Sequence, residues 1–205
     1  MSSGAPLEVR DIDGAPLCPE SQQLLGYLRT RSAELGLAAI RERIRATALE
    51  LEKLVDAVPV ADIRRRTAEG KWNIAEVVDH IAQTQIRGAE ELRHLFLGRR
   101  PPGPPVYEAL RSGGAAWAPW EELVDGLRCS NRELIDVLAL APGSADEKGA
   151  KVKTILVTNR ELPGGGTAPQ IFPVDLDWRE YALVQRLHAL DHRTQIKKIR
   201  AALAA

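Results

Sequence analysis

The amino-acid sequence predicts an all-α protein, an antiparallel four-helix bundle with a long N-terminal arm and a loop or β-hairpin insert before the last helix. Two observations lead to this fold class. Four long segments carry apolar residues at helical spacing, and the connections between these segments vary in length. The chain has 205 residues, enough for one such domain. We assign the domain to residues 31–205, with the arm and a short helix over residues 1–30.

Local signals predict where the helices begin and end. Residues 1–20 contain two glycines and three prolines, which predict an irregular arm. The best start signal is Asn73 with Glu76 three positions later, a capping box that satisfies backbone amides at the head of a helix. Prolines follow the ends of the first three long helices. The expected helices cover residues 20–31, 31–57, 74–97, 119–140 and 177–204.

The segment from Ala141 to Leu176 differs from the helices in its pattern. KVKTILVTN is rich in β-branched residues, and the turn-forming PGGG and then APQIFPVDL follow it. This order predicts a β-hairpin, although Pro169 and Pro173 interrupt the second arm.

Composition excludes several classes of function. Lys plus Arg is 28 and Asp plus Glu is 28, so the chain has no net charge and no basic surface for nucleic acid. Its two cysteines, Cys18 and Cys129, cannot form a disulfide framework and favour a reducing compartment. The N-terminus lacks the apolar segment of a signal peptide, and no apolar run approaches the roughly 20 residues that span a bilayer. We therefore expect a cytoplasmic protein without nucleic-acid or membrane partners.

Two histidines stand in the apolar stripe of the last helix. In RLHALDHRTQI, His188 and His192 are four residues apart and occupy positions where leucine would normally stand. Burying an imidazole without partners costs a few kcal/mol. The pair therefore has two interpretations. The two rings bond carbonyl or carboxylate groups of the core, or they form part of a metal site, in which one ion satisfies both rings. His80, which borders the apolar stripe of the second long helix, is the candidate third ligand. A zinc protease is excluded, since Ala189 replaces the glutamate of the HExxH motif.

Two segments resemble a known family. KWNIAEVVDHIAQTQ resembles the conserved segment of the DinB/YfiT-like metalloenzymes, in which a Trp, a capping residue and an acidic residue precede one histidine. RLHALDHRTQI is similar to that family's HxxxHxxQI segment. The resemblance covers residues 33–204 and departs from the family in the arm and in the Gly-rich insert. It implies a metal triad of His80, His188 and His192.

The resemblance also implies a chemistry. Three neutral imidazoles leave a divalent ion an open position, the catalytic pattern for zinc. Zinc or nickel is the expected metal, and iron or manganese would accept the same ligands. The family implies transfer of a low-molecular-weight thiol, such as mycothiol or bacillithiol, to an electrophile, or hydrolysis of a small substrate. The alternative is a non-catalytic dimeric bundle that binds a small ligand and has structural histidines.

Two residues beside the triad are candidate catalytic residues. Asp191 directly precedes His192 and is either a surface carboxylate or a group that orients a ligand or acts on substrate. Gln195, one turn beyond His192, bonds an imidazole or a substrate, or is a polar residue of the core. Neither Asp79 nor Asp191 should bind the same ion as its neighbouring histidine, since adjacent helical residues point about 100° apart.

Other apolar residues predict packing. Trp72 is expected to pack as a lid on the bundle. Trp178 and Tyr181 either pack or line the mouth of the pocket. A ridge of leucines at positions 183, 187 and 190 faces away from the histidines on the last helix. Either the arm and the first helix cover this ridge, or a second subunit covers it. The second alternative leads us to expect a homodimer.

Overall fold

The structure, a computed structural model, describes residues 9–99, 110–141, 151–162, 164 and 166–204. The prolines expected to stop helices at residues 101–105 and 142 lie outside these ranges, as does the start of the arm. The described chain is mostly helical and contains a two-stranded sheet, which confirms the predicted helical class with a hairpin insert. The elements are α1 (Pro19–Glu34), α2 (Leu37–Asp56), α3 (Ile74–Leu95), α4 (Trp120–Leu138), β1 (Val152–Glu161), β2 (Thr167–Leu176) and α5 (Trp178–Ala204).

The helix expected over residues 31–57 is wrong at its start. The helix α1 continues to Glu34, and α2 begins only at Leu37. Leu35 and Gly36 between them are both extended, with ψ angles of 127° and 164°. Glycine is a poor helix former, and the break separates two helices that pack differently. The first contacts α5 and β1, whereas the second contacts α4 and α5.

Capping side chains fix the starts of the two helices that carry the histidines. Asn73 Oδ1 accepts a hydrogen bond from Glu76 N at 3.0 Å, and Asn73 N donates to Glu76 Oε2 at 2.9 Å, which confirms the predicted capping box. Asp177 and Glu180 make the same reciprocal pair ahead of α5, at 3.0 Å in each direction. Both helices therefore begin with their first amides satisfied.

The hairpin tolerates both prolines of its second strand because the backbone at their positions faces away from the first strand. The strands pair antiparallel from Val152 with Leu176 to Glu161 with Thr167. The Ile171 carbonyl accepts a hydrogen bond from Ile12 N of the arm at 2.9 Å, so the backbone at this position faces away from β1. Pro169 and Pro173 lie two residues to either side and share that outward direction. Neither proline removes a bond from the ladder.

A single glutamine joins the arm to the hairpin. Gln170 is 3% exposed, and its Oε1 accepts hydrogen bonds from Cys18 N at 2.9 Å and Ser21 Oγ at 2.8 Å. Its Nε2 donates to Asp11 Oδ2 at 3.0 Å and to the Pro16 carbonyl at 3.1 Å. All four hydrogen-bonding positions of the amide are used.

Two hydrophobic clusters fill the interior. The first cluster joins α1 and the hairpin to one end of α2–α5, and the second cluster lies at the other end. Buried members are Leu28, Ile40, Leu92, Leu138, Phe172 and Leu183 in the first cluster, and Leu51, Ile74, Val78, Leu127 and Ile196 in the second. This membership shows that α2 and α5 run from the first cluster to the second, while α3 and α4 run in the opposite direction.

Polar side chains separate the two clusters. Gln85 Oε1 on α3 accepts a hydrogen bond from Ser130 Oγ on α4 at 2.8 Å, and both residues are buried. On α5, the two histidines fall between Leu187, which packs on the first cluster, and Ile196, which belongs to the second. The fold thus places the histidines between two apolar regions.

Two of the three leucines in the ridge of α5 are covered from within the chain. Leu183 is fully buried in the same cluster as Leu25 and Leu28 of α1, and Leu187 packs against that cluster. The first helix therefore takes the position that a second subunit would otherwise fill. The homodimer stays a prediction, without support from this ridge. None of the described helices is long and apolar enough to cross a membrane.

Candidate metal centre

Three imidazoles from two helices meet at one point. His80 comes from α3, and His188 and His192 come from α5. Nε2 of His188 lies 3.0 Å from Nε2 of His80 and 3.0 Å from Nε2 of His192. Within the described part of the chain, this is the only group of three or more potential metal ligands so arranged. The structure thus brings together the three histidines that the sequence singled out.

Hydrogen bonds to the far side of two rings fix their tautomers. His80 Nδ1 lies 2.7 Å from the Leu110 carbonyl oxygen, which can only accept, so this nitrogen carries the proton. His192 Nδ1 likewise donates to Gln195 Oε1 at 2.7 Å. Both Nε2 atoms therefore present lone pairs towards His188. This is the arrangement in which protein carbonyl and amide groups orient metal-binding histidines.

A cation suits this arrangement better than a proton does. A proton on Nε2 of His188 can be donated to only one of its two neighbours at a time, whereas one ion can be bound by all three nitrogens. Zinc lies about 2.0–2.1 Å from an imidazole nitrogen, so two nitrogens on the same ion are at most about 4.2 Å apart. The observed separations of 3.0 Å fit this limit. The residues present therefore fit a divalent metal.

The surroundings favour the neutral form of the three imidazoles. Burial lowers the pKa of His188 well below its usual range, and the neighbouring His192 and His80 lower it further. Burial is also the largest cause of the lowered pKa of His80 and of His192. Only a neutral imidazole binds a metal, so these shifts extend the pH range in which the group can act as a ligand set.

A buried carboxylate holds the backbone that contacts His80. Asp79, 3% exposed, accepts hydrogen bonds from Ser112 N at 3.0 Å and from Ser112 Oγ at 2.5 Å. This fixes the segment whose Leu110 carbonyl bonds His80. The helical pattern places His80 at the border of the core, but this segment covers it and leaves it 8% exposed. The sequence contains no periodic signal that predicts this loop contact.

An aromatic ring borders the histidines. The ring centre of Trp72 lies 5.1 Å from that of His80 in an edge-on contact and 6.4 Å from that of His192 in a nearly parallel one. The guanidinium carbon of Arg111 lies 5.2 Å from the Trp72 ring centre. Trp72 therefore packs on the histidine cluster itself. The position of Arg111 was not predicted.

The other residues that the sequence analysis considered for the site differ in whether they contact the three histidines. Gln195 contacts His192, one of the alternatives expected for it. Asp191 is exposed, and among the described residues it makes no hydrogen bond to the histidines. Burial nevertheless raises its pKa. Trp178 and Tyr181 are buried in the first cluster, so both pack in the core. Cys18 and Cys129 are free.

Comparison with solved structures gives similar folds at low identity. A mycothiol-dependent maleylpyruvate isomerase is 15% identical and aligns with a TM-score of 0.56 over 80% of this chain. The alignment spans 62% of the isomerase, so this chain corresponds to less than two thirds of that protein. A candidate member of the DinB family from Exiguobacterium sibiricum is 18% identical, covering 82% of this chain and 91% of its own, with a TM-score of 0.47.

Comparison of the sequence with models of protein families gives one matching family. No curated protein matches the sequence significantly. The model of the DinB superfamily matches residues 43–154, more than half of the chain. This range includes His80 and ends before the two histidines of α5. The chain belongs to the DinB superfamily.

Proposed function

We propose that the protein is a metal-dependent enzyme that transfers a low-molecular-weight thiol to an electrophile, with His80, His188 and His192 as the metal ligands. The observation that carries the proposal is the convergence of the three Nε2 atoms, with Nε2 of His188 3.0 Å from each of the other two. A divalent ion held by neutral imidazoles keeps open positions and lowers the pKa of a water or thiol that it binds. The preference for a thiol is supported by the fold that this chain shares with an isomerase described as mycothiol-dependent.

The chain's own residues prepare the site in three ways. The Leu110 carbonyl and Gln195 Oε1 hold protons on the Nδ1 atoms of His80 and His192, so that their lone pairs face inwards. Burial lowers the pKa of the three rings and so favours their neutral form. The Trp72 ring packs against His80 and His192 and covers that side of the cluster. We assign Gln195 a positioning role, and Asp191 stays a predicted group at the rim.

The finer structural predictions belong to this proposal. We take α2–α5 to be the four helices of the predicted bundle, with residues 1–30 as an addition to it. Zinc and nickel remain the preferred metals, because neutral imidazoles suit both. Iron and manganese are the other candidates. The homodimer and the cytoplasmic location stay predictions.

Metal analysis of purified protein tests the ligand set. We expect the wild type to retain about one equivalent of metal after dialysis, and the double variant His188→Ala, His192→Ala to retain almost none, because it keeps only one of the three proposed ligands. His94→Ala is the matched control, since His94 also lies on α3 and is outside the cluster. A wild type that retains no more metal than the double variant contradicts the proposal.

A reaction screen tests the chemistry. Metal-loaded protein is mixed with a thiol and an electrophile, and loss of free thiol is followed over time. Turnover that depends on the bound metal supports thiol transfer. Metal binding without any turnover would instead favour the non-catalytic ligand-binding bundle.

A further inference from the structure

Arg111 carries a positive charge next to the histidine cluster. It stands between Leu110, whose carbonyl bonds His80, and Ser112, which Asp79 holds with two hydrogen bonds. Its backbone position is therefore fixed on both sides by contacts of the centre itself. The guanidinium lies over the Trp72 ring, 5.2 Å from the ring centre, and cation–π attraction stabilises this placement.

The carboxylate near the Arg111 guanidinium, that of Glu76, is already hydrogen-bonded to other residues. Glu76 Oε1 and Oε2 accept hydrogen bonds from Arg66 at 2.7 and 2.8 Å, and Oε2 also accepts from Asn73 N at 2.9 Å. Arg111 Nη1 lies 3.9 Å from Glu76 Oε1, a long ion-pair contact that is beyond hydrogen-bond distance. Its side chain is 46% exposed. Within the described residues, the donors of Arg111 thus remain open to a ligand.

The charge of Arg111 lies close to the centre. Its guanidinium lies over the Trp72 ring, whose centre is 5.1 Å from that of His80, and Arg111 directly follows Leu110, whose carbonyl bonds His80. The carboxylate of Asp79, which directly precedes His80 in the chain, is engaged by Ser112. With a divalent ion on three neutral imidazoles, this side of the protein has excess positive charge. Such a site attracts an anion, and a planar guanidinium recognises a carboxylate with two parallel hydrogen bonds.

We propose that Arg111 binds a carboxylate of the ligand that reaches the metal centre, so that the protein prefers a thiol or an electrophile that carries this group. The inference rests on the proposed function and adds a substrate class to it. Arg111 is on this view a specificity-determining residue and takes no part in holding the metal.

Binding of two matched thiols tests a carboxylate on the thiol. The Co²⁺-loaded protein is titrated with 3-mercaptopropionate and with 3-mercaptopropionamide, and sulfur–cobalt charge-transfer absorption reports coordination. We expect the wild type to bind the carboxylate about 10-fold more tightly than the amide, the effect of one charge-assisted interaction. Arg111→Gln should abolish this preference, and Arg111→Lys should keep part of it.

A second arm tests a carboxylate on the electrophile. With 2-mercaptoethanol as the thiol, consumption of acrylate is compared with that of acrylamide. The addition joins sulfur to the β-carbon and delivers the thiol proton to the α-carbon, so no further reactant is needed. Because the two electrophiles differ in intrinsic reactivity, the measured quantity is the acrylate-to-acrylamide rate ratio, which should fall about 10-fold in Arg111→Gln.

Arg65→Gln is the matched control for both arms. Arg65 is also exposed, with 56% of its side chain accessible, but it pairs with Asp62 at 3.0 Å. The same loss of charge there should change neither preference. A change that depends on Arg111 in either arm supports the inference and identifies which reactant carries the carboxylate. Equal behaviour of wild type and Arg111→Gln in both arms overturns it. Failure of cobalt or of both thiols to bind would overturn the proposed function as well.

Discussion

Removing the Asp79 carboxylate should weaken metal binding although Asp79 is not a ligand. Its two oxygens accept hydrogen bonds from Ser112 N and Ser112 Oγ, at 3.0 and 2.5 Å. These bonds hold the segment whose Leu110 carbonyl fixes the tautomer of His80. In Asp79→Ala the segment loses both bonds, and the carbonyl no longer has a fixed position against the imidazole.

The size of the effect follows from the bonds that are lost. A hydrogen bond to a charged group contributes about 1.5–3 kcal/mol, but Ser112 is exposed, so water can bond its donors once the carboxylate is gone. The free energy of unfolding should therefore fall by about 1–3 kcal/mol for the two bonds together. Loss of the groups that orient metal ligands weakens affinity about 10–100-fold. Because Asp79 acts through the backbone segment, we expect about 10-fold, the lower end of that range. Asp79→Asn keeps one acceptor oxygen and should fall between alanine and the wild type.

Competition with a chromophoric chelator measures the Zn²⁺ dissociation constant of each variant. Asp177→Ala is the matched control, because Asp177 is also 3% exposed and accepts two backbone hydrogen bonds, at 2.9 and 3.0 Å. It lies about 16 Å before His188 along α5, at 1.5 Å per residue. This variant should lose stability and keep its metal affinity. If Asp79→Ala binds zinc as tightly as the wild type, or if both variants weaken binding equally, the reasoning is refuted.

Two further predictions concern packing and pH. A methyl group at Gly88 would lie 2.5–2.8 Å from the end of the buried Gln185 side chain, which would have to move, so Gly88→Ala should destabilise the protein by about 1 kcal/mol after the gain in helix propensity. A methyl group at Gly126 on α4 would meet open space, so Gly126→Ala should stabilise the protein by up to about 1 kcal/mol. Urea unfolding measures both variants, and midpoints that shift in the same direction would contradict the prediction. Burial lowers the pKa of His188 in the folded protein. At pH values between the folded and unfolded pKa, the unfolded chain therefore binds a proton that the folded chain does not. The free energy of unfolding of the metal-free protein should fall as the pH decreases from 7.5 to 5.5, and it should fall less steeply in His188→Gln. Equal slopes of this free energy against pH in the two proteins would show that His188 does not cause the pH dependence.

The helices could be predicted because their signals are local. Apolar spacing marks α3, α4 and α5, and the capping box at Asn73 is a pattern of neighbouring residues. The histidine pair was visible for the same reason, since positions four apart share a helical face. The break at Gly36 was missed because the apolar spacing continues across it, although glycine is a poor helix former and the two helices that it separates pack differently.

The parts of the site that could not be predicted depend on chain segments far apart in sequence. Ser112 is 33 residues from Asp79, and Leu110 is 30 residues from His80. Both residues follow a stretch without helical or strand periodicity, so no local pattern indicates which side chains the loop meets. The position of Arg111 over Trp72 depends on the same loop. The sequence therefore predicts the three histidines more readily than the groups that orient them.

The glutamine that joins the arm to the hairpin has a consequence for how related chains can differ. Gln170 lies about 150 residues from its partners in the arm, and every bond that its amide can make is used there. A descendant that lost the arm would leave a buried amide without partners, while one that lost the hairpin would leave the arm without its attachment. The two additions should therefore be inherited or lost together, and members of the superfamily that lack one should lack the other.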